Sequence, residues 1–159
     1  MENEPVSSKV GGSQRDIKWL STTGVTLTLL GMGVSVWLTI AHYTTKVVLA
    51  CPDTGLINCA KVTSSVYSMV FGVPLVLLGL CFFIGMLFLQ LPVAWRSQNP
   101  LIRRGRLVVA ASGLVMVFWL VYVELFRLNA ICLYCTSVHI VTILLFMLTA
   151  LGTALTSEV

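Results

Sequence analysis

Residues 132–155 read Cys-Leu-Tyr-Cys-Thr-Ser-Val-His-Ile-Val-Thr-Ile-Leu-Leu-Phe-Met-Leu-Thr-Ala-Leu-Gly-Thr-Ala-Leu. No charged side chain interrupts the stretch, and it exceeds the roughly 20 apolar residues that a helix needs to cross the hydrocarbon core of a bilayer. Its first residues form a Cys-x-x-Cys motif from Cys132 and Cys135. The stretch therefore predicts a membrane-spanning helix with two cysteines at one end.

The rest of the chain has the composition of a membrane protein. Hydrophobic residues make up 57% of it and charged residues 10%, against roughly 25% charged residues in an average soluble domain. So few charges leave almost no polar helix face to meet water, which excludes a soluble helical domain. Further apolar stretches of spanning length lie at residues 20–41, 73–91 and 107–126. The predicted fold is an all-α bundle of four transmembrane helices, forming a single domain from residue 19 to 155.

The basic residues predict how the bundle is oriented. On one side are Lys9, Arg15, Lys18, Arg96, Arg103, Arg104 and Arg106, and on the other are Lys46, Lys61 and Arg127. The side with more Lys and Arg faces the cytoplasm in most membrane proteins. The tail 1–18, the basic loop 92–106 and the C-terminus are therefore predicted to be cytoplasmic, and the loop 42–72 to face outward.

The outward loop carries a second pair of cysteines, Cys51 and Cys59, which are separated by seven residues. Residues 60–67 are long enough for two helical turns but too short and too polar to cross a bilayer, so they predict a short interfacial half-helix. All four paired cysteines then lie on the oxidising side of the membrane, where disulfides persist.

Two unlike cysteine pairs on one side of a membrane predict redox chemistry. A helix N-terminus favours the negative charge of a thiolate, which is the reactive form of cysteine, so Cys132 is well placed to react. The Cys-x-x-Cys pair can store two electrons as a dithiol, and disulfide exchange can carry them between the pairs without a metal. The apolar residues 140–147 suit a lipid-soluble quinone beside Cys135. Cys81, in the middle of a span, is interpreted as a packing residue.

Cysteines in such patterns also serve three other roles. The four paired cysteines could form a Cys₄ zinc site, although a seven-residue separation is loose for one. Haem attachment requires a histidine directly after the Cys-x-x-Cys, and Thr136 stands there. Residues 48–51 resemble a lipoprotein cleavage box, but the first span is longer than the apolar region of a signal peptide. A non-catalytic, zinc-stapled bundle therefore stays open as an alternative.

Together the motifs resemble those of the vitamin K epoxide reductase family. In chain order they are Cys51-x7-Cys59, Ser65, Phe71-Gly72 and Cys132-Leu-Tyr-Cys135. DsbB-type membrane proteins do similar chemistry, but in them the Cys-x-x-Cys precedes the separated pair. The resemblance implies a four-helix bundle around a quinone, with the half-helix of the loop covering the site.

The resemblance also implies a role for each cysteine. Cys51 would exchange disulfides with a separate thioredoxin-fold protein of the DsbA type. Cys59 would exchange with Cys132, and Cys135 would act on a quinone of the menaquinone, ubiquinone or vitamin K type. The expected function is a membrane thiol-disulfide oxidoreductase that supports disulfide formation in exported proteins. Reduction of vitamin K epoxide or of the quinone as such is the alternative activity.

The residues expected to contact the quinone are Ser65, Tyr67, Phe71 and His139. Vertebrate members of the family carry Thr-Tyr-Ala after the Cys-x-x-Cys and an asparagine upstream of the Phe-Gly, whereas this chain has Val138-His139-Ile140 and Ser68. His139 is predicted to donate to a quinone carbonyl or to stabilise a thiolate, and a histidine bonded within the bundle is the structural alternative. With no fused thioredoxin domain and no retrieval tail, we expect a bacterial-type protein of the inner (plasma) membrane.

Two charged residues remain near the outer end of the third span. Glu124 and Arg127 are three residues apart, a spacing that permits an ion pair on a helix. We interpret them as anchors of the helix end.

Overall fold

A computed structural model describes residues 7–44, 51, 54–70, 72–97 and 99–157, and it describes side chains only between residues 15 and 155 of these ranges. The long helices are α1 (Ser7–Tyr43), α3 (Leu75–Gln90), α5 (Pro100–Tyr122), which continues as a π-helix (Val123–Leu128), and α6 (Leu133–Ser157). The short elements are α2 (Cys59–Thr63), a 3₁₀ turn (Val66–Ser68), β1 (Met69–Val70), β2 (Val73–Pro74) and α4 (Pro92–Arg96).

Three segments of the described chain are long and apolar enough to cross a membrane: Arg15–Tyr43, Pro100–Leu128 and Leu133–Leu155. They correspond to the first, third and fourth predicted spans. The predicted second span is represented by α3, whose 16 residues extend about 24 Å at 1.5 Å per residue, less than the ~30 Å hydrocarbon core. The structure therefore supports a helical membrane bundle, and the count of four spans remains a prediction.

Several predicted boundaries differ from the observed ones. Helix α1 begins at Ser7, inside the predicted cytoplasmic tail, because hydropathy marks where a helix crosses lipid and not where it begins. The predicted basic loop 92–106 is largely helical. Asn99 caps α5 by accepting a hydrogen bond from the backbone N–H of Leu101, and Pro100 occupies the first turn, where a proline needs no hydrogen-bond partner.

The four long helices pack in a closed ring, in which α1 contacts α3 and α6, and α5 contacts α6 and α3. Phe83, Met86, Ala110 and Leu145, which are all buried, form the centre of the bundle. Glycines allow close approach between helices; for example, Gly24 faces the side chain of Gln90, and Gly113 faces the ring of Phe82. Small residues are the usual means of close helix contact in membranes, where no hydrophobic force separates helices from lipid.

A buried polar network joins the helices at the end of the bundle where α3 meets α4. The Gln90 amide donates to Thr149 (3.0 Å) and accepts from the Trp95 indole N–H (3.0 Å). The Ser21 hydroxyl donates to the backbone carbonyl of Gln90 (2.8 Å), and the Arg106 guanidinium lies 3.4 Å from the centroid of a Trp95 ring. Gln90 is fully buried, so its amide is satisfied by protein partners alone.

Replacing Gly24 with alanine is expected to destabilise the bundle. The new Cβ would stand 2.7 Å from Oε1 of Gln90, so the amide must shift and weaken its bonds to Thr149 and Trp95. Overpacking of this kind costs about 1–3 kcal/mol. Gly33→Ala, on the same helix with open space around the new Cβ, is the matched control. Thermal unfolding in detergent measures both, and equal midpoints would contradict the expectation.

Candidate functional site

Backbone hydrogen bonds hold the cysteine loop against the start of α6. The N–H of Asn58 donates to the carbonyl of Ile131 (3.1 Å), and the N–H of Ile131 donates to the carbonyl of Leu56 (2.8 Å). Ile57 and Ile131 therefore form an isolated parallel bridge. Asn58 directly precedes Cys59, and Ile131 directly precedes Cys132, so the pairing brings one cysteine of each pair to the same place.

The loop cysteines are joined to each other in this structure. Cys51 and Cys59 form a disulfide with their Cα atoms 6.1 Å apart, while Cys132 and Cys135 are free thiols. Cys59 is 1% exposed and Cys132 is fully buried, whereas Cys51 is half-buried. Of the loop pair, Cys51 is thus the more accessible to a partner in solution.

The N-terminal end of α6 stabilises the thiolate of Cys132. The sulfur of Cys132 accepts a hydrogen bond from the backbone N–H of Cys135 at 3.4 Å. The Cys135 thiol is the largest influence on the pKa of Cys132, and together with the backbone N–H groups of Cys135 and Tyr134 it lowers that pKa to about 7, against the opposing effect of burial. A thiolate at this position is the species that disulfide exchange requires.

The Cys132 thiolate is therefore expected to titrate near neutral pH. With the loop disulfide intact, the ultraviolet absorbance of the thiolate should be half developed near pH 7. Cys135→Ser replaces the sulfur donor with a weaker acid and should move the midpoint upward. Cys81→Ala is the control for the remaining free thiol. A Cys132 midpoint that does not respond to Cys135→Ser would show that the neighbouring thiol does not stabilise the thiolate.

A cavity of about 290 Å³ lies inside the bundle, between the loop and helices α1, α3, α5 and α6. Three of the four predicted quinone contacts line it, namely Ser65, Tyr67 and His139, together with Cys135. The fourth, Phe71, lies outside the described residues. Most of the wall is formed by apolar side chains, among them Leu38, Phe82, Met116, Val117 and Leu120.

Two residues that line the cavity, Tyr67 and His139, have hydrogen-bonding capacity that no described residue uses. The Tyr67 hydroxyl accepts from Nε of Arg127 (3.0 Å), so its own hydrogen remains free to donate. His139 is 6% exposed and makes no hydrogen bond to another described residue, which disfavours the alternative of a histidine bonded within the bundle. By contrast, the hydroxyl of Ser65 donates its hydrogen to the carbonyl of Val62 (2.9 Å). Toward a bound molecule it can therefore act only as a hydrogen-bond acceptor.

Glu124 also lines the cavity, and the ion pair with Arg127 that the i, i+3 spacing permits is not the arrangement observed. Arg127 is exposed and bonds to Tyr67, whereas Glu124 is 5% exposed and lies beside the Cys-x-x-Cys. The prediction assumed the geometry of an α-helix, but residues 123–128 form a π-helix, which rotates side chains relative to α-helical positions. The sequence did contain a signal that Glu124 is functional, because an acidic residue within a predicted membrane span usually serves a function.

The described residues give no support to the zinc alternative. Cys51 and Cys59 are bonded to each other, and no three His, Cys, Asp or Glu side chains cluster within the described ranges. Cys81, interpreted from the sequence as a packing residue, lies exposed on the outer surface of α3, so any packing role is not in the interior of the bundle.

The model of the vitamin K epoxide reductase family matches residues 23–150, which include both cysteine pairs and the cavity. The comparison with curated proteins finds no match.

Proposed function

Because this chain belongs to the vitamin K epoxide reductase family, we propose that it carries electrons from a thioredoxin-fold partner to a quinone. Membership implies membrane thiol-disulfide and quinone oxidoreduction, and the path through this chain is our proposal. The observation that carries it is the position of Cys135. Its thiol lines an apolar cavity within the bundle, while its partner Cys132 lies beside the loop disulfide.

The cavity fits a quinone ring. Its volume of about 290 Å³ is near the lower end of the range for small-molecule sites, roughly 300–1,000 Å³, and such sites are typically apolar with a few polar groups. His139 and Tyr67 would hold the two carbonyl oxygens, and the apolar side chains would cover the ring. When bound, a quinone supplies an acceptor for two electrons and two protons.

The cysteines would pass electrons by two disulfide exchanges. The thiolate of Cys59 attacks the sulfur of Cys132, which forms a mixed disulfide and breaks the Cys132–Cys135 bond. Cys51 then attacks Cys59, which releases Cys132 as a thiolate and leaves the loop disulfide. The observed state, with the loop pair oxidised and the Cys-x-x-Cys reduced, is the product of these steps.

The proposed topology has four spans, with α3 as the second, and both termini in the cytoplasm of a cell whose inner (plasma) membrane holds the protein. The cytoplasmic location of the termini follows from the distribution of Lys and Arg. The loop disulfide then faces outward, where Cys51 would exchange with a separate thioredoxin-fold protein of the DsbA type. The electrons arriving from that partner correspond to new disulfides in exported proteins.

A thiol count tests the function. Purified protein would be fully reduced, freed of reductant without oxygen, given a quinone and then labelled with a mass-tagged maleimide. Four of the five cysteines should become unreactive. Full reactivity of all five after quinone, or stoichiometric bound metal with unreactive cysteines, would refute the redox assignment. Vitamin K epoxide in place of the quinone tests the alternative substrate in the same assay.

A further inference from the structure

Glu124 is a buried acidic side chain beside the reactive cysteines, and the relay described above does not use it. It is 5% exposed and lines the same cavity as Cys135. Its carboxylate interacts electrostatically with both cysteines of the Cys-x-x-Cys and lies close enough to the backbone N–H of Cys132 to accept a hydrogen bond. A carboxylate within a membrane bundle is expensive to bury, and such residues usually serve a function.

The backbone around Glu124 fixes this position. The residue lies in the π-helix, and its carbonyl accepts hydrogen bonds from the N–H groups of Asn129 and Ala130 in the turn that leads to Cys132. Asn129 has a left-handed backbone (φ 46°), which lets the turn close on the helix end. π-helical turns are often found at functional sites. Glu124 is thus tied to the same turn that places the Cys-x-x-Cys.

We propose that Glu124 is the proton acceptor for Cys135. Its carboxylate takes the proton of the Cys135 thiol at the wall of the cavity, which leaves Cys135 as a thiolate able to give up electrons. In this step one S–H bond breaks and one O–H bond forms, and no electron moves. The proposal rests on the proposed function, because the electrons that Cys135 then releases, as it forms the disulfide with Cys132, go to the quinone named there.

The surroundings of Glu124 favour this role over a purely electrostatic one. The titratable or charged side chains around the cavity, from every element that lines it, are His42, Tyr67, Cys132, Cys135, His139 and, through its bond to Tyr67, Arg127. No described cation forms an ion pair with Glu124, so its carboxylate is not neutralised and stays available to bind a proton. No electrostatic influence of His139 on either cysteine is found among the described residues, so Glu124 is the carboxylate that interacts with both of them.

Glu124→Gln separates proton transfer from electrostatics, because it removes the charge and the proton acceptor but keeps the shape. The first readout needs no quinone. Because coupling between two sites is reciprocal, loss of the negative charge should move the thiolate titration of Cys132 to lower pH. The second readout is quinone-dependent thiol loss, which should slow by about 10²-fold or more without the proton acceptor. Glu124→Asp, which keeps a carboxylate on a shorter side chain, should slow thiol loss less than Glu124→Gln does, but the rate should still be below that of the wild type.

The two readouts together decide the proposal. A lower titration midpoint with slower thiol loss supports a proton acceptor, since more thiolate is present and yet less reaction occurs. A lower midpoint with unchanged or faster thiol loss would reduce Glu124 to an electrostatic influence, and an unchanged midpoint would show that it is not coupled to the pair. Either result overturns the proposal. Failure of the proposed function is recognised separately, because wild-type protein would then show no thiol loss with quinone.

Should Glu124→Gln unfold in detergent, the same two readouts on Glu124→Asp decide. The shorter side chain withdraws the carboxylate from Cys135 while keeping its charge. Slower thiol loss with a nearly unchanged midpoint would support the proposal, and an unchanged rate would overturn it.

Discussion

Cys135→Ala is expected to abolish the loss of thiols that a quinone causes in the reduced protein. The variant keeps four of the five cysteines, and all four should still react with maleimide after quinone is added. Cys135 is the cysteine of the four that lines the cavity, so the others have no described contact with a molecule bound there. We expect the rate to fall by at least about a thousandfold, as it does when the reacting group of an enzyme is removed.

Cys81→Ala is the matched control for this experiment. It removes one cysteine as well, from the outer surface of α3, and leaves both pairs intact. All four of its remaining thiols should disappear with quinone, so two variants with equal cysteine counts should give opposite results. Continued thiol loss in Cys135→Ala would mean that electrons leave the chain through a different cysteine, and the assignment of Cys135 would be wrong.

The second large effect is expected from trapping the exchange between the pairs. The double variant Cys51→Ala, Cys135→Ala leaves Cys59 and Cys132 without their own partners. Because the preceding residues Asn58 and Ile131 are hydrogen bonded, we expect a Cys59–Cys132 disulfide to form almost completely under mild oxidation. A disulfide requires Cα atoms about 4.4–6.8 Å apart, and neighbouring strands joined by backbone hydrogen bonds generally lie about 4.7–4.9 Å apart.

The control for the trapping experiment is a double variant in which Cys59 can pair only with Cys135, which lies further along α6. Cys51→Ala, Cys132→Ala retains Cys59 and Cys135, and Cys135 lies one helical turn beyond the bridge, about 5 Å further along the axis. Little disulfide should form. Cleavage between the two cysteines followed by electrophoresis with and without reductant distinguishes linked from unlinked chains. Equal linking in both double variants would mean that the loop moves freely over the end of α6.

The sequence was sufficient for the features that depend on composition and on spacing. Apolar runs located the long helices, and the order and spacing of the cysteines indicated the family whose model matches residues 23–150. Three predicted quinone contacts lie in one cavity with Cys135, which is consistent with their proposed role. Their contacts with a quinone remain a prediction.

What the sequence could not provide depends on backbone geometry. The i, i+3 spacing of Glu124 and Arg127 permits an ion pair on an α-helix, whereas residues 123–128 form a π-helix in which Arg127 bonds to Tyr67 instead. Helix ends were also missed, since Asn99 and Pro100 begin α5 by capping, which a hydropathy profile ignores. Local turn chemistry would have located that boundary, whereas the π-helix has no comparable signature in the sequence.

The shortness of α3 bears on the lipid around the protein. With α3 as the second span of the proposed topology, its 16 residues leave a hydrophobic mismatch of about 6 Å against a ~30 Å core. Two ways to close this gap are thinning of the bilayer beside α3 and entry of Val93 and the rest of α4 into its edge. Val93 is 78% exposed and suits contact with lipid. The side of the bundle formed by α3 would therefore favour thinner membranes, and the thickness of the bilayer would affect the position of the bundle within it.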